Sequence, residues 1–237
     1  MRSSTALLPL CLLPIAIACS INLGVVGSGN VIEELRDVGA FDAIRVDGSV
    51  DVFLAQGEAA PVRVVAEDNL LPIVETTVKG TTLTIKTTGS YSTKVGIDLY
   101  VTLPTLRSIS TSGSSDVYGE GTFEADSLTI KTSGSSDIEC AVAVGTLTLD
   151  SSGSSDILIS GTAQTLKIEA SGSSDVSAYE LVAAEAQVKT SGSSDAQVNA
   201  KILDARATGS SNIRYRGSPQ KLNTSDSGSA SIGPEGT

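Results

Sequence analysis

One pentapeptide, Ser-Gly-Ser-Ser-Asp, constrains this chain more than any other feature. It stands at 112–116, 133–137, 152–156, 171–175 and 191–195, then fades into Thr208-Gly209-Ser210-Ser211-Asn212 and Ser227-Gly228-Ser229. The glycines Gly113, Gly134, Gly153, Gly172, Gly192 and Gly209 follow at steps of 21, 19, 19, 20 and 17 residues. A steady period near twenty marks a solenoid, in which one repeat is one coil and no coil can bury its apolar face alone.

The residues around the pentapeptide decide which solenoid. Four places after each glycine stand Val117, Ile138, Ile157, Val176, Ala196, Ile213 and Ile232, and four before stand Ile109, Ile130, Leu149, Ile168 and Val188. Leu128-Thr129-Ile130 and Leu166-Lys167-Ile168 alternate apolar with polar, the period of a strand. Only Leu181–Val188 is ambiguous between strand and helix. Each coil therefore has a strand entering a corner and a strand leaving it. Coils stacked in register give an all-β, parallel β-helix with coils of about 19–21 residues. A fully buried Val, Ile or Leu contributes about 1.5–3 kcal/mol, so aliphatic rows suffice for a core.

At the corner, glycine supplies the positive φ of a tight bend, and serine fits a cramped interior and bonds nearby backbone. With Ile138 inward, alternation turns Ser136 in and Asp137 out. Stacking then lines up Asp116, Asp137, Asp156, Asp175 and Asp195, ending in Asn212, as an outward ladder. Like charges about 5 Å apart repel by about 0.8 kcal/mol even at the dielectric of water. The bland account of the ladder is that Asp ends the turn, bonds its own backbone and keeps the face soluble. A cation site is the sharper account, but one carboxylate per rung is a sparse ligand set for calcium, and no metal ligand is assigned. A second outward row, Ser110, Lys131, Asp150, Glu169, Lys189 and Arg206, mixes signs so that some neighbours attract.

Residues 1–18 read as a signal peptide: Arg2 is followed by an apolar stretch, Ala6–Ala18, too short to span a bilayer and interrupted by Pro9 and Pro14. Ala16-Ile17-Ala18 suits ordinary signal peptidase. The following Cys19 also suits a lipobox, although Ala16 stands where Leu is commoner. The expectation is a Cys19 carrying lipid, with 19–26 as a tether and the membrane as a partner through that lipid. Secretion and an uncleaved anchor are the alternatives. Either cleavage removes Cys11, and Cys140, at an inward position, reads as a small buried apolar residue.

Net charge is −11, and loss of 1–18 takes away only Arg2 among charged residues, which argues against nucleic acid as a partner. The chain has no His, so Ser with Asp lacks the base a serine hydrolase needs. No catalytic residue and no cofactor is assigned. Glycan-active β-helices use clustered carboxylates in a groove, whereas these Asp residues are evenly repeated.

The first half carries the same coil less regularly. Ile44–Val52 already has strand, Gly48 corner, Asp51 and an apolar residue; Val62–Ala66, Val74–Val78, Leu83–Lys86 and Ile97–Leu103 read as strands. One domain is expected over 27–237, with irregular coils in 27–110 and regular ones in 111–232. Gly27-Ser28-Gly29-Asn30, then Arg36, Phe41, Ile44, Val46, Gly48, Val52, Gln56-Gly57, Glu67-Asp68-Asn69-Leu70 and Leu83-Thr84-Ile85 resemble the bacterial family called putative auto-transporter adhesin, head GIN domain. The resemblance spans roughly Gly27 to Gly228. It implies a right-handed β-helix on exported or lipid-anchored proteins and brings no catalytic residues. The expectation is a non-enzymatic envelope or surface module binding a glycan or an envelope protein. A structural spacer and a carbohydrate-active enzyme are the alternatives.

Overall fold

In the computed structural model, which describes residues 24–236, the chain forms a β-solenoid of about seven turns. The regular coils are long strands, Asp116–Thr132, Ile138–Ser151, Asp156–Ala170, Asp175–Thr190 and Asp195–Gly209, each joined to the next by a pentapeptide corner. All pair in parallel. The ambiguous Leu181–Val188 patch is strand. The signal segment and Cys19 lie outside the described residues.

Register follows the apolar rows. Val117, Ile138, Ile157, Val176, Ala196, Ile213 and Ile232 occupy one continuous row. The row continues below Val117 through Val52 and Leu99. On the strand entering the corner, Leu83, Ile44, Ile109, Ile130, Leu149, Ile168, Val188 and Ala205 form a second row. All but Ile232 are buried. Phe123 is the largest fully buried side chain, and Gly119 makes room for it: a Cβ at Gly119 would stand 2.7 Å from the ring. Cys140 is a buried free thiol, pushed up to about 12 mainly by burial, as suits an inert filler of the interior.

The irregular half departs from simple sequential stacking. Strand Ala43–Gly48 sits between Thr82–Thr87 and Ser108–Gly113, and Asp51–Gln56 sits between Asp98–Leu103 and Asp116–Thr132. The first coil in sequence is therefore the second in space. The outermost rung is closed by antiparallel pairs: Val31–Arg36 on Val62–Glu67, Val62–Glu67 on Asp98–Leu103, and Val74–Lys79 on Thr82–Thr87. Arg36 helps seal this end, donating to the carbonyls of Leu71 and Val74 and pairing with Glu34.

Candidate functional site

The corner serines are interior parts. Ser115, Ser136, Ser155, Ser174, Ser194 and Ser211 are all fully buried. The hydroxyls of Ser155, Ser174, Ser194 and Ser211 donate to the carbonyl three residues back, at 3.2, 3.0, 2.8 and 2.9 Å. Each bond closes the bend on itself, satisfying a carbonyl that the turn would otherwise orphan. Beside them lies a second set of buried hydroxyls: Thr132 bonds Ser151 within it, and Thr190 bonds the corner hydroxyl of Ser211, both at 2.9 Å. The corner glycines stack directly: a Cβ on Gly153 would stand 2.6 Å from the Gly134 carbonyl oxygen.

The aspartates form the outward ladder in the expected order, but what they bond differs from expectation. The carboxylates of Asp116, Asp137, Asp175 and Asp195 reach the next coil rather than the backbone of their own turn. Asp116 accepts from the backbone N–H of Asp137 at 3.1 Å, Asp137 from Asp156 at 3.0 Å, and Asp175 from Asp195 at 3.3 Å. Asp195 accepts from both the backbone and the side-chain nitrogens of Asn212, at 3.0 and 2.8 Å. Each of these four carboxylates thus holds two rungs together through a charge-assisted bond. The ladder also extends below Asp116 to Asp51 and Asp98, which share its register. Burial, and then the charges of Asp116 and Asp98, hold the Asp51 carboxyl above its ordinary range. Burial first, then Asp137 and Asp175, do the same at Asp156. Among the described residues no three His, Cys, Asp or Glu side chains are grouped to hold a metal ion. The mixed-sign row does pair, Lys131 with Asp150 at 3.3 Å and Lys189 with Glu169 at 2.9 Å.

A further outward row escaped the sequence reading. One residue past the buried row, neighbouring strands carry Leu35, Arg63, Tyr100, Phe53 and Tyr118 in register. Phe53 stacks on Tyr100 with centroids 4.9 Å apart and planes at 15°, and on Tyr118 at 5.5 Å and 24°. The Arg63 guanidinium covers the other face of Tyr100 at 3.6 Å. The pairs Val52-Phe53, Leu99-Tyr100 and Val117-Tyr118 occupy the same coil position, and this was the signal available in the sequence. It was hidden because chain order and spatial order differ in this half.

Gly27-Ser28-Gly29-Asn30 and Glu67-Asp68-Asn69 meet and lock the first described strand to the solenoid. Buried Glu67 accepts from the Gly29 N–H at 2.7 Å and the Thr93 hydroxyl at 2.6 Å. Asp68 accepts from Ser28 at 2.5 Å and Asn30 at 2.9 Å. A Cβ at Gly27 would run into the Glu67 carboxylate and displace it from its bonds to Gly29 and Thr93.

Comparison with known proteins agrees with this architecture. Among curated proteins none matches the chain. A solved structure of a putative adhesin from Bacteroides fragilis superposes with a TM-score of 0.82 at 27% identity, covering 89% of this chain and 100% of that one. A putative adhesin from Parabacteroides merdae gives 0.76 at 21% identity, over 89% and 98%. A protein from Parabacteroides distasonis described as a putative lipid binding protein gives 0.74 at 23%, over 89% and 98%. These two show the fold alone. The model of the family described as putative auto-transporter adhesin, head GIN domain, matches residues 40–219, and the chain belongs to that family.

Proposed function

We propose that this protein is an exported, Cys19-anchored module of the bacterial envelope that binds a glycan or another envelope component and catalyses no reaction. The observation that carries this reading is the use to which the repeated polar residues are put. The serines are sealed inside the corners, and the ladder carboxylates hold neighbouring rungs. Neither set is left poised for chemistry on a substrate. What remains outside is a long rigid display surface, the usual use of a solenoid.

One observation favours a carbohydrate-active enzyme instead: Asp98, Asp51 and Asp116 run beside Tyr100, Phe53 and Tyr118. A rung of separation is close to the spacing, about 5–5.5 Å, of the two carboxyls in a retaining glycosidase. Against it, these carboxylates continue as the same ladder up an open face.

The test is expression of the full chain and its Cys19→Ser variant in a bacterial host. The expected result is acyl labelling and membrane association of the first, both lost in the second, with the purified chain adsorbing to isolated envelope fractions. Membrane association without label would remove the anchor. Chromatographic detection of glycan products released by the purified chain would make it an enzyme.

A further inference from the structure

We propose that the trough beside the Arg63–Tyr100–Phe53–Tyr118 stack is a binding site for a neutral oligosaccharide. The proposal rests on the interaction-module reading and names the place and the ligand class.

The aromatics are spent unusually. The chain has three Phe, five Tyr and no Trp, and its core is otherwise aliphatic. Yet three of these eight rings stand on consecutive rungs of one outward row. In the next outward row Ala55 and Thr102 are small and lie in register, with Glu120 on the following rung. Small residues beside large ones leave a trough of about 370 Å³ along Arg63, Tyr100 and Phe53, with Ala60 and Pro61 contributing to its lining and Tyr118 standing at its end, one rung beyond Phe53. That volume lies in the range of ligand pockets, about 300–1,000 Å³.

The lining is mixed in the way a sugar ring is mixed. Arg63 brings guanidinium donors, one of whose nitrogens pairs with Glu33 at 3.3 Å. Glu120 is exposed and brings an acceptor; ring edges and Ala55 lie between. A pyranose carries hydroxyls around its rim and C–H groups on its faces, so it can meet both. The stack is also closed at one end and open at the other. Arg63 covers Tyr100, Phe53 is sandwiched, and the face of Tyr118 turned from Phe53 looks toward the rung of Glu139. Tyr118 is 37% exposed, so a sugar C–H face can extend the stack there. The rings step by 4.9 and 5.5 Å, close to one residue of an extended sugar chain.

Charge selects among sugars. Asp98, Asp51 and Asp116 lie two residues before Tyr100, Phe53 and Tyr118 on the same strands and face the same side. They stand well within a screening length of about 8–10 Å, so sulfated, phosphorylated or uronic chains are repelled. An acyl chain would need an enclosed apolar pocket, and this trough is open and half polar.

The experiment is a glycan array, followed by calorimetric titration of the neutral hits, using the purified full chain. Tyr118→Ala removes the open face, Ala55→Phe fills the trough, and Leu158→Ala is a control farther up the same row. The expected result is saturable binding of a neutral oligosaccharide, weakened at least tenfold by each of the first two changes and unchanged by the third, with the melting temperature of Ala55→Phe unaltered. Equal binding by all variants would place the sugar elsewhere and overturn the assignment while leaving the module reading intact. Preference for anionic glycans, or binding of a fluorescent fatty acid that Ala55→Phe abolishes, would overturn the ligand class. A blank array would overturn the proposal, and adsorption to envelope fractions would then decide the module reading separately.

Discussion

Replacing Gly153 by alanine separates two costs that the corner combines. Gly153 has φ +85°, and its added Cβ would lie 2.6 Å from the carbonyl oxygen and 2.9 Å from the nitrogen of Gly134. Gly121, in the coil below, has φ +80° with nothing within 4 Å of its added Cβ. Alanine at Gly121 therefore costs the left-handed backbone alone, about 1–2 kcal/mol. Alanine at Gly153 costs that and a clash with backbone. The clash is relieved only by opening the rung, where the Ser154 N–H donates to the Gly134 carbonyl at 2.8 Å. Loss of that bond adds about 0.5–1.5 kcal/mol. Overpacking adds about 1–3 kcal/mol. The total comes to roughly 2.5–6.5 kcal/mol. For a chain of this size each kcal/mol moves the melting temperature by about 2–4 °C. Thermal unfolding followed by far-ultraviolet circular dichroism should show Gly153→Ala falling at least twice as far as Gly121→Ala. Equal shifts would refute the reasoning, because they would mean that rung contact adds nothing to the demand for glycine.

Replacing Asp137, Asp156 and Asp175 together by Asn keeps a side-chain oxygen for the next rung and removes like charge; melting temperature should hold or rise, and any gain should shrink with added salt. The Asp51 carboxyl is held above its ordinary range, so its favourable contribution is full below the unfolded value and lost as pH rises through the folded one. Asp51→Asn should therefore stabilise at pH 7 and lose that advantage below about pH 4, measured by paired melts. Ser174→Val should cost about 1–3 kcal/mol in urea unfolding, because it leaves the Ser171 carbonyl unbonded in the interior. Glu67→Ala should free the Gly27–Asn30 segment, detected as faster proteolysis there with little change in the melting of the regular coils.

The regular half was legible because each position in it repeats. Ile138 inward forces Ser136 inward and Asp137 outward, and five copies of the rule leave no other register. The partner of each Asp was not legible: alternation says which way a carboxylate points, whereas its reach to the next rung depends on the rise between coils. The irregular half hid more. Val62–Glu67 alternates like any other strand, and nothing in alternation distinguishes its antiparallel pairing from a parallel one. The aromatic row was missed for a related reason, since Phe53 lies between Tyr100 and Tyr118 in space but before both in sequence.

Interchangeable corners have a genetic consequence. Gly134, Gly153 and Gly172 sit in equivalent surroundings, each over the carbonyl of the glycine one coil below. A recombination event that joined the DNA for one pentapeptide to the DNA for the next would delete or duplicate a whole coil and create no new junction. Such an exchange would change the length of the rod in steps of about 4.8 Å while preserving both ends. The near-identical pentapeptides thus make reach a property that selection can tune by counting copies, without inventing a residue.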